Sequence, residues 1–196
     1  MAHEGQTRKF DGAKYITHPM RVFNTAMDYG FTDEPTLLAT ILHDVMEDGP
    51  SSITFDSIRK EFGGDTATTV KLLSKAFSTD ESPEKVKVDH DTYFKQLKSA
   101  PISVKNVKAL DRLDNVQDID QFSKKKLANY VPETQELLKI FGEAVPNVSA
   151  DITKKIAPYV KEYGLKESLP TSNTQIVKKL KEKKGKDLPQ PGIHQI

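Results

Sequence analysis

Apolar residues recur three and four apart along almost the whole chain. Leu37, Leu38, Ile41, Leu42 and Val45 make one stripe, and Val107, Leu110, Leu113 and Val116 make another. That spacing follows the helical turn and gathers the apolar positions on one face. It predicts helices at about 18–29, 34–47, 54–62, 64–78, 84–98, 102–118 and 133–143, with a weaker pattern near 151–163. Gly30, Gly49-Pro50, Gly63-Gly64, Pro83, Pro101, Pro132 and Pro146 punctuate these runs. Asp33 and Thr54 suit N-caps. Pro19 suits a first helical position, with Thr17 or His18 as its cap. Residues 119–132 read as a polar connection. No strand-length alternation and no internal repeat interrupts the pattern, so the expected fold is an all-α, multi-helix bundle.

One stripe carries chemistry. In Ile41-Leu42-His43-Asp44-Val45-Met46-Glu47-Asp48, four ionisable groups border an apolar run. On a continuous helix His43 would stack with Glu47, and Asp44 with Asp48. Three of the four are acidic, and their repulsion is costly unless a cation offsets it. Taken alone, Glu47 and Asp48 read as the wet end of an amphipathic helix. The cluster reaches back into the apolar run, however, where charges are seldom buried unpaired. Two further ligands are available in His18, at a helix start, and Asp111, beside the second stripe. Singly, His18 would be a hydrogen-bonded cap and Asp111 half of a surface pair with Arg112. Together with His43 and Asp44 they form a two-histidine, two-aspartate set whose mixed N/O chemistry suits manganese, iron or zinc. Glu47 and Asp48 lie one turn beyond, placed to orient a bound water or take its proton.

These residues resemble a known family. Gly5-Gln6-Thr7-Arg8-Lys9 with Tyr15-Ile16-Thr17-His18-Pro19, then Leu42 to Asp48, then Lys108-Ala109-Leu110-Asp111-Arg112-Leu113-Asp114-Asn115 are similar in order and spacing to the hydrolase domain of the RelA/SpoT alarmone enzymes. The small stand-alone, metazoan SpoT-like members are the nearest in kind. The resemblance implies an HD-domain (p)ppGpp hydrolase with one manganese ion (iron or zinc being possible substitutes) on His18, His43, Asp44 and Asp111. It implies catalysis by Glu47 and Asp48, removing the 3′-pyrophosphate of guanosine 3′,5′-bis(diphosphate)-type alarmones to give GDP or GTP. It also implies substrate contacts from Arg8, Lys9, Ser74, Lys75 and Asn115, with the planar Arg8 guanidinium stacked on the base. The length leaves no room for synthetase and regulatory domains, so degradation of the alarmone is expected and synthesis is not. Leu110, Asp114 and Gly49 depart from the family pattern, and none of them is expected to touch a proposed ligand. An HD phosphohydrolase for another nucleotide or NADPH would share the same ligands. An antitoxin of a toxic small alarmone synthetase is a further alternative.

Composition narrows the partners. With 196 residues and no cysteine, one sizeable domain is expected and thiolate ligands are excluded. No signal peptide or bilayer-length apolar run is present, so a cytoplasmic location with no membrane partner is expected. Six lysines against Glu182 and Asp187 give residues 171–196 a net +4, and the rest of the +1 chain is −3. An acidic body does not suggest nucleic-acid binding. The expected division is a phosphohydrolase domain over 1–170 and a solvated, disordered lysine-rich tail over 171–196. His3, His90 and His194 read as surface or loop residues.

Overall fold

The computed structural model describes residues 5–8, 12–75 and 83–165, and the side chains of 83–89 are not described. Nine α-helices occur among the described residues: α1 (Thr17–Asp28), α2 (Glu34–Leu42), α3 (Val45–Asp48), α4 (Phe55–Phe62), α5 (Gly64–Leu73), α6 (Pro83–Ser99), α7 (Ile102–Val116), α8 (Lys124–Phe141) and α9 (Pro146–Tyr163). A 3-10 turn at Ile119–Gln121 follows α7. A single antiparallel bridge, Thr7 to Lys14, is the one piece of β pairing among them. The all-α expectation holds. No helix among the described residues is long and apolar enough to cross a membrane. The expected tail, Lys9, His3 and His194 lie outside the described residues.

Local signals account for most boundaries. Asp33 accepts the Thr36 N–H at 3.0 Å and starts α2. Thr54 and Ser57 cap α4 reciprocally. Gly63, at φ +86°, turns α4 into α5 through a left-handed conformation that a side chain would strain. α1 begins differently from expectation. Its cap position is Ile16, and the Thr17 hydroxyl donates back to the Lys14 carbonyl at 2.8 Å. His18 is therefore inside the first turn, with its ring buried, and caps nothing.

Three expectations need correction. The helix over 34–47 is two helices, because α2 ends at Leu42 and a turn at His43-Asp44 precedes α3. The His43 Nδ1 lies 2.9 Å from the Thr40 carbonyl and occupies an oxygen at the end of α2. The helix over 64–78 stops at Leu73, with Ser74 extended; residues 76–78 are not described. The polar connection over 119–132 is largely helix: α8 starts at Lys124, capped by the Ser123 hydroxyl, and runs through Pro132. Pro132 removes one ladder hydrogen bond. The stripe Leu127, Val131, Leu137, Leu138 and Phe141 is buried all the same, and this packing outweighs the loss. The weak pattern near 151–163 is a full helix from Pro146, with Val148, Ile152 and Ile156 in the core.

α7 is the centre of the bundle, packed against α1, α2, α5, α8 and α9. It is buried nearly all round, and Val104, Val107, Leu110 and Val116 are fully enclosed. Asp111, Arg112 and Asp114 are buried on it too, each with an oppositely charged partner. Arg112 does not pair with Asp111 at the surface. It reaches α8, bonding Glu133 and the Thr134 hydroxyl and lying 4.2 Å from the Tyr130 ring.

If α9 belongs to this core, Ile152→Ala should cost about 2–5 kcal/mol, the usual range for emptying a closed aliphatic site. Urea unfolding would measure it, and a loss below about 0.5 kcal/mol, the scale of surface changes, would place α9 outside the cooperative unit.

Candidate functional site

Four side chains from three parts of the chain converge beside α7. His18 enters from the first turn of α1, His43 and Asp44 from the turn after α2, and Asp111 from the middle of α7. The two imidazole Nε2 atoms are 3.2 Å apart. Asp111 Oδ1 lies 3.3 Å from His18 Nε2 and 3.7 Å from His43 Nε2. Asp44 Oδ2 lies 3.2 Å from His43 Nε2 and 3.7 Å from His18 Nε2. The helix break makes this possible. Consecutive residues on a helix point about 100° apart, whereas the turn lets His43 and Asp44 face one point.

The outer ring nitrogens are occupied. His18 Nδ1 is 2.7 Å from Asp114 Oδ2, and His43 Nδ1 is 2.9 Å from the Thr40 carbonyl. Both Nε2 atoms are thereby turned to the same centre as the two carboxylate oxygens. Donors of this kind fit a divalent cation, and the cluster of His18, His43 and Asp111 could hold a metal ion.

A pocket of about 540 Å³ opens over the cluster. Glu47, Asp48, Arg8, Lys75 and Asn115 line it, as do Gln6, Thr7, Tyr15, Leu73 and Lys108. Glu47 accepts the Lys75 backbone N–H. Tyr15 donates its hydroxyl to Asp44 and stands 3.3 Å from Asp48 Oδ2. Gln6 donates to the Asp48 carbonyl, which holds the N-terminal segment over the pocket. Arg8 is ion-paired with Asp118. The Asn115 amide donates to the Asp111 side chain at 2.5 Å and so steadies that carboxylate. Ser74 is not brought in, because its hydroxyl donates to the Val70 carbonyl. His90 is exposed on α6 and stacks on Phe94.

Sequence reasoning assigned no role to Tyr15, Lys108, Asp114 or Arg21. Asp114, expected to touch no proposed ligand, meets His18 at 2.7 Å; its usable signal was its place three residues from Asp111, on the same face of a helix. Lys108 likewise sits three residues before Asp111 and reaches its Oδ2 at 2.9 Å.

Electrostatics follow from these contacts. Burial opposes a charged His18 ring, but its bonds to Asp111 and Asp114 prevail and lift it to about 9. Burial likewise opposes His43, and Asp111 and Asp44 raise it to about 10. Burial alone would raise Asp111, yet Lys108 and the two imidazoles hold it well below the carboxylate range. Asp44 is lowered against its own burial by His43. Glu47 moves the other way, pushed up mainly by burial. That direction suits a proton acceptor working nearer neutrality.

A family profile described as an HD domain matches residues 1–144. The chain belongs to the HD-domain family. It is 32% identical over 134 residues to a Synechocystis protein named probable guanosine-3′,5′-bis(diphosphate) 3′-pyrophosphohydrolase, covering 67% of this chain and 17% of that one. It is also 32% identical over 138 residues to the Escherichia coli bifunctional (p)ppGpp synthase/hydrolase SpoT, covering 69% and 19%. This HD-domain chain thus spans less than a fifth of those relatives. Among solved structures, a metazoan SpoT ortholog described as hydrolysing ppGpp superposes with a TM-score of 0.60 at 21% identity, covering 82% of this chain and 88% of that one. A Listeria monocytogenes protein superposes at 0.57 with 22% identity, covering 74% and 99%. Those two likenesses concern the fold.

The raised imidazoles predict how stability varies with pH in metal-free protein. The site retains protons that the unfolded chain releases near 6.5, so its contribution is complete below about pH 6.5 and drains away as pH rises through 9 to 10. The lowered Asp44 and Asp111 act oppositely: their contribution is present above about pH 4 and is lost in acid. Urea midpoints measured with chelator present should therefore fall on both sides of a plateau between about pH 4 and 6.5. A midpoint level from pH 6.5 to 10 would contradict this account.

Proposed function

We propose that the chain is a metal-dependent hydrolase removing the 3′-pyrophosphate of guanosine 3′,5′-bis(diphosphate)-type nucleotides, leaving GDP or GTP. The observation that carries this reading is the meeting of His18, His43, Asp44 and Asp111 beneath a pocket that also holds Glu47, Asp48 and three cationic side chains. The names of the relatives supply the substrate class. His18, His43, Asp44 and Asp111 would hold the ion, for which manganese is the proposed identity. Bound there, it would supply Lewis acidity and a water of lowered pKa.

The remaining groups act around it. Glu47, its carboxyl raised by burial, takes the proton of the attacking water, and Asp48 orients that water. The Tyr15 hydroxyl bridges Asp44 and Asp48 and keeps ligand and catalytic group in register. Lys75 and Lys108 face the pocket as compact charges for the pyrophosphate group. Arg8, held by Asp118, presents its planar guanidinium for the base, with Lys9 beside it in sequence. Asn115 contacts the nucleoside from the rim, whereas Ser74, its hydroxyl on the Val70 carbonyl, takes no part. Residues 1–170 form the hydrolase domain and 171–196 a lysine-rich tail; the location is the cytoplasm, and the acidic body argues against a nucleic-acid partner.

Incubating manganese-loaded protein with guanosine 3′,5′-bis(diphosphate) and separating products by ion exchange should yield GDP and pyrophosphate. Inorganic phosphate as the first product, or no turnover alongside rapid hydrolysis of another nucleotide, would overturn the substrate assignment. Chelation should abolish the activity and manganese restore it, and His43→Ala should carry no stoichiometric metal.

Glu47→Gln and Asp48→Asn should each keep the metal while turnover falls by about 10²-fold, the scale of a lost positioned acid/base group. Wild-type rates in both variants would remove this pair from the chemistry.

A further inference from the structure

His18 is gripped at both ring nitrogens by carboxylates one turn apart on α7. Asp111 faces Nε2 at 3.3 Å, and Asp114 faces Nδ1 at 2.7 Å. Asp114 is itself met by Arg21 with two nearly parallel hydrogen bonds, Nε to Oδ1 at 2.7 Å and Nη2 to Oδ2 at 2.8 Å. The Asp114 side chain is only 4% exposed, so neither the carboxylate nor the ring has room to swing. His43 has no such backing: its Nδ1 meets a backbone carbonyl, a neutral acceptor. The two imidazoles of the cluster thus differ in what stands behind them.

We propose that Asp114, anchored by Arg21, is the positioning residue that makes His18 the dominant nitrogen donor of the metal centre. The inference rests on the metal reading above and deepens it. A carboxylate behind Nδ1 selects the tautomer with its proton on Nδ1, leaving the Nε2 lone pair for the ion. It also strengthens that lone pair, since negative charge behind the ring raises its donor power. Arg21 locks the carboxylate plane in a two-pronged grip that Lys could not reproduce. Arg21 lies at the edge of a second cavity of about 920 Å³, outside the catalytic pocket. Asp114 touches neither the attacking water nor the pyrophosphate group in this scheme and acts only through His18.

The test is manganese affinity, measured by competition with a fluorescent chelator on wild type, Asp114→Ala and Asp114→Asn. Circular dichroism reports the folded fraction of each. Asp114→Ala should bind manganese about 10- to 100-fold more weakly while folded, the usual cost of removing such an outer partner. Asp114→Asn, which keeps an acceptor oxygen without the charge, should lose less than Asp114→Ala. Saturating manganese should restore much of kcat in both, with the requirement for metal shifted upward. A structural ion pair would instead lower the melting temperature and leave affinity per folded molecule unchanged. Wild-type affinity in Asp114→Asn overturns the proposal, and that variant decides the matter if Asp114→Ala does not fold. Wild type that binds no manganese brings down the metal reading itself and this inference with it. Unchanged affinity in the variants brings down the inference alone.

Discussion

Charge balance in a closed interior governs this molecule. Asp111 and Asp114 are buried on the central helix of an apolar bundle, with Asp44 close by, and an unpaired carboxylate there would cost several kcal/mol. Each is answered by a specific partner: Asp111 by Lys108, Asp114 by Arg21, and Asp44 by Tyr15 and the imidazole of His43. The partners come from α7 itself, from α1, and from the segments before α1 and α3. Helix packing and site electrostatics are therefore one problem with one solution. α1 and α2 must lie where they do for the carboxylates of α7 to be tolerated, and the same placement turns two Nε2 atoms toward a common point.

The residues that meet in the cluster were legible in the sequence because their chemistry conflicts with their surroundings. A histidine and aspartate inside an apolar stripe, or an aspartate beside Leu110 and Leu113, violate the simple pattern and so advertise themselves. Geometry was harder to read. Periodicity carried the helix smoothly through His43 and Asp44, because apolar spacing does not register a side chain bonding the end of its own helix. The stretch at 124–132 was misjudged for the opposite reason: three lysines and a proline look like a connection until α8 has a core to pack on. Local preference lost there to burial of Leu127 and Val131. Partners such as Arg21 for Asp114 are 93 residues apart and leave no sequence trace.

The pocket is asymmetric. Its floor, with His18, His43 and Asp111, belongs to buried turns and helices, whereas its rim borrows Gln6, Thr7 and Arg8 from an extended N-terminal stretch. That stretch is attached by the Thr7–Lys14 bridge and by the bonds of Gln6 to the Asp48 carbonyl and of Arg8 to Asp118. In the proposed reaction the buried floor would set the geometry of bond breaking, and the rim would meet the nucleoside.

The order of the clustered residues along the chain has a kinetic consequence. Positions 18, 43, 44 and 111 are spread over more than half of the helical body, and only the central pair is local. Hairpins such as α1–α2, α4–α5 and α8–α9 pair neighbours in sequence and can form early. The cluster exists only after α7 has closed the long loop from the start of α1. An ion binding there cannot guide the first folding steps. Bound to the finished bundle, it would act as a reversible cross-link among three distant segments and retard the opening of α7 from α1 and α2.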